Sequence, residues 1–220
     1  MRILLALGLI LLLAGCAQQA PSMQQGPDAE TTFDGLVRID NARFSHAWVD
    51  PDIDLSRYKK IIPMRAEFEF RAVRKTTTSM ARSNESEFWI SDQNRERLVE
   101  IVTEAFTDEL GRSEHFTITD TPASDTLIIV GTLHDIVSRV PPEQVGRSDI
   151  WLSSVGEATL VLVAKDSLSG ETIYRAADRR AAERVGSMVR SNTVANTAEV
   201  RRLARQWATR LREGLDSIHE

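Results

Sequence analysis

Two segments of the chain, residues 91–111 and 196–218, carry apolar side chains on one helical face only. In the first, Leu98, Ile101, Val102, Ala105, Phe106 and Leu110 recur at three and four residues. In the second, Val200, Leu203, Ala204, Trp207, Leu211, Leu215 and Ile218 do the same, with charges around the rest. A stripe of this kind has to be covered by another element, because most helical stability in water comes from packing the apolar face. Ser91 is a good N-cap for the first helix and Gly111 a C-terminal stop.

The covering surface is written in a different period. Residues 125–137, DTLIIVGTLHDIV, and 157–167, EATLVLVAKDS, are apolar on both faces over part of their length, which marks central strands. AEFEF, 66–70, alternates Phe68 and Phe70 against Glu67 and Glu69, as a half-buried strand does. Residues 58–64 and 115–119 read as short strands. Ser169-Gly170 makes a tight turn that pairs 157–167 with ETIYRAAD, 171–178, as a hairpin, after which RRAAERV has helical propensity. The expected class is therefore α+β, a two-layer α/β arrangement: a mixed, mostly antiparallel sheet of about five strands with two long helices packed on it. The crossover from strand 58–64 through the first helix to strand 115–119 should be right-handed if those strands are parallel.

The single cysteine, Cys16, follows an apolar run that opens after Met1 and Arg2. That run is about a dozen residues, too short for a spanning helix, which needs about 20. A charged start, a short apolar region and small residues at its end form a secretory signal. Leu13-Ala14-Gly15-Cys16 resembles the lipobox at which bacterial lipoproteins are diacylated on the cysteine sulfur and cut before it. Cleavage between Gly15 and Cys16 is expected, with Cys16 lipidated, which also explains a lone cysteine in an exported chain. Each buried methylene contributes about 0.8 kcal/mol, so two or three chains hold the protein to a membrane. Ala17, where an Asp would favour retention in the inner membrane, points to the outer membrane with the domain facing the periplasm. The expected organisation is a signal peptide, 1–15; a lipidated N-terminus and disordered tether, 16–33, rich in Gln, Pro, Ser and Gly; and a single periplasmic α/β domain, 34–220. Residues 35–54 read as an irregular arm wrapping that domain.

GLVRIDNARFSHAWVDPDIDLSRYKKI near the start, VPPE at 140–143 and KDSLSGETIYRAADRR at 165–180 resemble a family of Gram-negative lipoproteins known only as a domain of unknown function, family 3313. The resemblance spans nearly all of the mature chain. It implies a periplasmic, lipid-anchored α/β domain and no particular activity.

The residues themselves carry no catalytic motif. His46, His115, His134 and His219 are far apart and never in zinc-ligand spacing. His134 and Asp135 are neighbours in a strand and so point to opposite faces. No nucleophile elbow, Walker loop or dinucleotide fingerprint is present, and neither cofactor nor metal is expected. With 27 basic and 32 acidic side chains, a net charge of −5 and no basic run, the chain offers no footprint for nucleic acid.

Asp178, Arg179 and Arg180, with Glu183 and Arg184, form the densest charge cluster. It is either a docking patch or a solvated strand edge whose charges discourage aggregation. Trp151, in the loop 141–156, is either an exposed anchor for a partner or tucked onto the core. The expected function is non-enzymatic. The domain, tethered to the membrane through Cys16, binds another envelope component, with Trp151, Asp178, Arg179 and Arg180 as candidate contacts. The alternative is a small-ligand or glycan module with its site near the 141–156 loop.

Overall fold

The computed structural model describes residues 19–73, 87–141, 150–183 and 188–219. In chain order it contains β1 (Ser22–Met23), β2 (Val37–Asp40), β3 (His46–Val49), a 3-10 turn (Leu55–Arg57), β4 (Lys60–Pro63) and β5 (Glu67–Phe70). α1 (Asp92–Leu110), β6 (Thr117–Ile118), β7 (Thr126–Ser138) and β8 (Trp151–Leu152) follow. The chain ends with β9 (Ser154–Asp166), β10 (Thr172–Glu183), β11 (Val189–Arg190) and α2 (Thr193–Asp216).

The α+β class and the mixed sheet match the expectation, but the sheet among the described residues has nine strands where about five were expected. Its order is β1-β2-β3-β10-β9-β7-β4-β6, with β5 also on β7. From β1 to β7 every pairing is antiparallel, whereas β4, β5 and β6 pair in parallel. β4 lies along Thr126–Ile129 of β7 and β5 along Thr132–Ile136, so two short segments share the length of one long neighbour. The expected crossover does join parallel neighbours, β4 and β6.

Three segments account for most of the difference. The arm 35–54 is not irregular: it supplies β2 and β3, and β3 pairs with β10 from Tyr174 to Ala177. Residues 22–23, expected within a disordered tether, pair with β2, and Gln24 N–H donates to Arg38 C=O at 2.9 Å. β10 does not turn helical after Asp178 but stays extended to Glu183, opposite β9 as far as Ser154. In each case a neighbouring backbone with free N–H and C=O groups overrides weak local preference.

The helices lie where their stripes require. Ser91 caps α1 by accepting from Asn94 N–H, and Gly111 closes it in the right-handed region at φ −66°. α2 begins three residues before the expected 196, because Asn192 accepts from Ala195 N–H at 2.9 Å. Between helices and sheet lie Ile61, Leu127, Leu160, Ile173 and Trp207, all fully buried. Along β9, Ala158, Leu160, Leu162 and Ala164 face the helices and are buried, while Val161 and Val163 on the opposite face are half-buried. Gly170, at φ +75°, makes the tight turn of the β9–β10 hairpin, and Asp166 accepts the N–H groups of Leu168 and Ser169 there.

Candidate functional site

α1 and α2 run in the same direction across the sheet. Arg201 lies 4.0 Å from Glu104 and Arg212 3.3 Å from Glu109, so position advances together along both helices. Their N-termini therefore open at one end of the domain. At the other end the helices are closely joined. Leu110, Leu211 and Leu215 are buried, and the Asp216 carboxylate accepts from Ser113 Oγ at 2.5 Å and from the N–H groups of Glu114 and His115.

At the N-terminal end the two helices and the sheet enclose a cavity of about 630 Å³. This lies within the range of small-molecule sites, roughly 300–1,000 Å³. Leu98, Ile101 and Val102 of α1 form one wall and Val200, Leu203 and Trp207 of α2 the other. The floor is Leu133, Ile136, Val155 and the small residues Gly156, Ala158 and Ala182. Short side chains beneath α2 leave the volume that larger ones would fill. Gly156 is required for another reason. A Cβ there would run into the carbonyl oxygen of Val137, so the close approach of β9 to β7 at this point admits no side chain.

Polar groups collect where the helices begin: Ser91, Asn94 and Arg97 on α1, and Asn192, Thr193, Asn196 and Thr197 on α2. Asn196 Nδ2 donates to Ser191 Oγ at 3.1 Å, while its Oδ1 is buried without a partner among the described residues. Leaving such an acceptor unmet costs about 1–3 kcal/mol, which a hydroxyl or N–H group in the cavity would recover.

Trp151 directly follows the cavity-lining Ile150 but does not itself line the cavity. β8 and β11 form a two-stranded ribbon, continued by Ser191 N–H donating to Ile150 C=O at 2.7 Å, and Ile150 and Ser191 both line the cavity. Leu152 is buried, and Trp151 is 51 % exposed. Trp151 is therefore not tucked onto the core, and its neighbour Ile150 lines the cavity.

The charge cluster separates into two unrelated arrangements. Asp178 is neither a docking charge nor a solvated edge residue; it is 1 % exposed. On β10 it falls on the helix-facing side, opposite Leu160, so alternation carries it inward. It accepts from Ser45 Oγ at 2.5 Å, Trp207 Nε1 at 2.9 Å, Arg180 Nε at 2.5 Å and Arg210 Nη1 at 3.3 Å. Burial works to raise its carboxyl, but the Ser45 hydroxyl, the Arg180 guanidinium and the Trp207 indole outweigh it and hold the group below the usual carboxylate range.

Arg179 points to the other face, where Nη2 donates to Glu157 at 2.9 Å and Nη1 to Asp135 at 3.5 Å. Asp135 sits at φ +56° where β7 carries one residue more than β9, a β-bulge held by Arg71 Nε and Nη2, while Arg71 Nη1 donates to Glu87. His134 Nδ1 lies 2.6 Å from Glu69 Oε2 on that face, so the bulge brings His134 and Asp135 to one face where regular alternation would send them to opposite ones.

Gly15 and Cys16 lie outside the described residues. Among the described residues no group of three or more His, Cys, Asp or Glu could hold a metal ion, and no helix is long and apolar enough to cross a membrane. The structure thus brings Trp151 near the cavity and leaves Asp178, Arg179 and Arg180 away from it. Sequence reasoning missed Asn196 and Val200 as cavity residues. The signal was present in Asn192 and Asn196, two amides one turn apart at the start of an apolar stripe.

Several solved structures are distantly similar. A Xanthomonas campestris protein of the DUF330 family shares 11 % identity over 77 % of this chain and 90 % of that one, with a TM-score of 0.45. A Helicobacter pylori protein described as a neuraminyllactose-binding hemagglutinin homologue shares 12 % over 73 % and 87 %, TM-score 0.39. A Caulobacter crescentus protein described as a lipoprotein shares 12 % over 74 % and 91 %, TM-score 0.38. No curated protein matches the sequence. The model of one family, described as protein of unknown function DUF3313, matches residues 32–211, and the chain belongs to that family.

Proposed function

We propose that the protein is a non-enzymatic lipoprotein of the outer membrane, anchored through lipid on Cys16, whose periplasmic domain binds a small amphipathic molecule between the helices and the sheet. The observation that carries this reading is the cavity of about 630 Å³, with apolar walls, a polar mouth and an unpartnered Asn196 Oδ1. Apolar walls take up the tail of such a molecule by the hydrophobic effect. Hydroxyls and amides at the mouth orient its head. The N-terminal segment LLLAGC supports the anchor.

The test is displacement of a fluorescent fatty acid from the full-length protein, compared with Val200→Trp, which places an indole inside the cavity. Saturable binding by the wild type and its loss in the variant, with an unchanged melting temperature, is the expected result. Equal binding by both, or no saturable binding by either, sinks the reading. Replacing Cys16 with Ser should abolish incorporation of labelled fatty acid in cells; persistent label removes the anchor.

A second reading, a module docking another envelope protein, is favoured by the sheet face opposite the helices. Ile128, Val130, Val161 and Val163 form a half-buried apolar centre there. In-cell photocrosslinking from Val161 tests it, with reproducible capture of one envelope protein above abundant background as the supporting outcome.

A further inference from the structure

We propose that an arginine-lined groove between the outer flank of α2 and the end of β10 is a binding site for a multiply phosphorylated anion. The groove, about 640 Å³ in volume, is lined by Arg180, Arg201, Arg202, Arg205 and Arg210, with Gln206 and Glu213 among them. β3 stops at the pair His46–Ala177, so among the described residues the stretch of β10 from Asp178 onward is paired on one side only, and the groove lies beside it.

Five guanidiniums share one groove in a chain whose net charge is −5. The carboxylates near them are buried or engaged elsewhere. Asp178 is fully buried and serves both Arg180 and Arg210. Glu199, 2 % exposed, holds Arg202. Glu213 faces Arg43 at 3.0 Å and Arg212 at 3.7 Å. Arg201 reaches its nearest carboxylate, Glu104, only at 4.0 Å, and exposed Arg205 makes no ion pair among the described residues.

Asp178 accordingly acts as a fixture. It pins one N–H of Arg180 and one of Arg210 on the same Oδ2 and leaves their remaining donors, about a third exposed, beside the groove. Arg180 and Arg210 share one carboxylate oxygen and so stand close together, and burial and the charge of Arg180 lower the pKa of Arg210. A bound anion offsets this closeness of like charges. Guanidinium forks match phosphate oxygens in pairs, and holding them in place before binding removes part of the ordering cost. From Arg201 to Arg210 the helix advances about 13 Å at 1.5 Å per residue, so the site suits a ligand bearing several phosphates more than a single one.

The proposal stands independently of the cavity reading. The test holds the full-length protein in neutral dodecylmaltoside micelles and titrates it by calorimetry with inositol hexakisphosphate and, separately, with micelles carrying phosphatidylglycerol. The expected result is saturable binding that weakens as salt rises, and that falls about tenfold or more in R201E/R205E and by a smaller factor in Q206E. Both variants alter exposed or half-exposed positions, so melting temperatures should match the wild type. Heat with inositol hexakisphosphate assigns a soluble polyphosphate; heat with phosphatidylglycerol micelles alone assigns clustered lipid headgroups. No heat with either probe, or unchanged binding in both variants, overturns the proposal.

Discussion

The two ends of the helix–sheet interface are built from the same pair of helices and the same sheet, yet one end is sealed and the other hollow. At the C-terminal end the seal is specific: Asp216 gathers Ser113 and two backbone N–H groups, and Leu211 and Leu215 fill the space above the sheet. At the N-terminal end the sheet contributes Gly156, Ala158 and Ala182, and polar residues occupy the first turns of both helices. The difference teaches that close packing and open space are assigned to opposite ends of one layer. Long side chains supply the first, and short ones beneath α2 leave the second.

The largest effect should come from the sealed end. Leu211→Ala should cost about 3 kcal/mol or more in urea unfolding, as deletions in closely packed cores do. Leu98→Ala, on the cavity wall, should cost under about 1 kcal/mol because part of that side chain already faces empty space. Equal costs would erase the distinction between the ends.

Asp178→Ala should cost about 3 kcal/mol, since it strands two guanidiniums and the Trp207 indole N–H at once, although the arginines can turn partly to water. A loss below about 1 kcal/mol would show that the cluster is not held by this carboxylate. Gly156→Ala comes next, at roughly 2 kcal/mol, because β9 must move off β7 to make room for one methyl group. Amide exchange at the β7–β9 pairs around Val137 should report the shift directly.

Acid provides the gentlest comparison. Burial tends to raise Asp216, but the Ser113 hydroxyl, the His115 and Glu114 N–H groups and Arg212 leave it below the ordinary carboxylate value. Asp178 is lowered likewise. For Asp166, burial is outweighed by the Ser169 and Leu168 N–H groups, the Tyr58 hydroxyl and Arg57, which bring it down to about 2. Groups with depressed folded-state values contribute stability that is complete above an unfolded value near 4 and is lost as pH falls through the folded values. These carboxylates should therefore leave unfolding midpoints flat between about pH 5 and 8 and make them drop below about pH 4. Asp216→Asn should flatten part of that drop, and a midpoint that falls just as steeply would remove Asp216 from the account.

Much of the frame could be read from residue order alone. Ser91 as a cap, the stripes of α1 and α2, the alternation of Phe68 and Phe70, and the turn at Gly170 are local signals, and the structure follows them. β2 and β3 carry no periodic signal of their own; they are strands because β10 offers a backbone edge. Residues 179–183 lose their helical preference to β9 for the same reason. Beside Arg179 and Arg180, Asp178 belongs to a segment whose charges suggest solvent, whereas alternation along β10 sends Asp178 inward and Arg179 outward. The cavity itself has no local signal in the sequence. A void is not a property of any one residue, but of two layers meeting over side chains too short to touch.

The order β1-β2-β3-β10 has a mechanical consequence. A load entering the domain at its N-terminal end meets the two-residue pairing of β1 first, then the equally brief contact of β2 with β3. Only after these does it reach the four-pair seam of β3 on β10 and the long β9–β10 ladder. The outer strands thus form a graded fuse: tension is released by peeling short pairings in sequence while the chamber between the helices and the sheet keeps its shape.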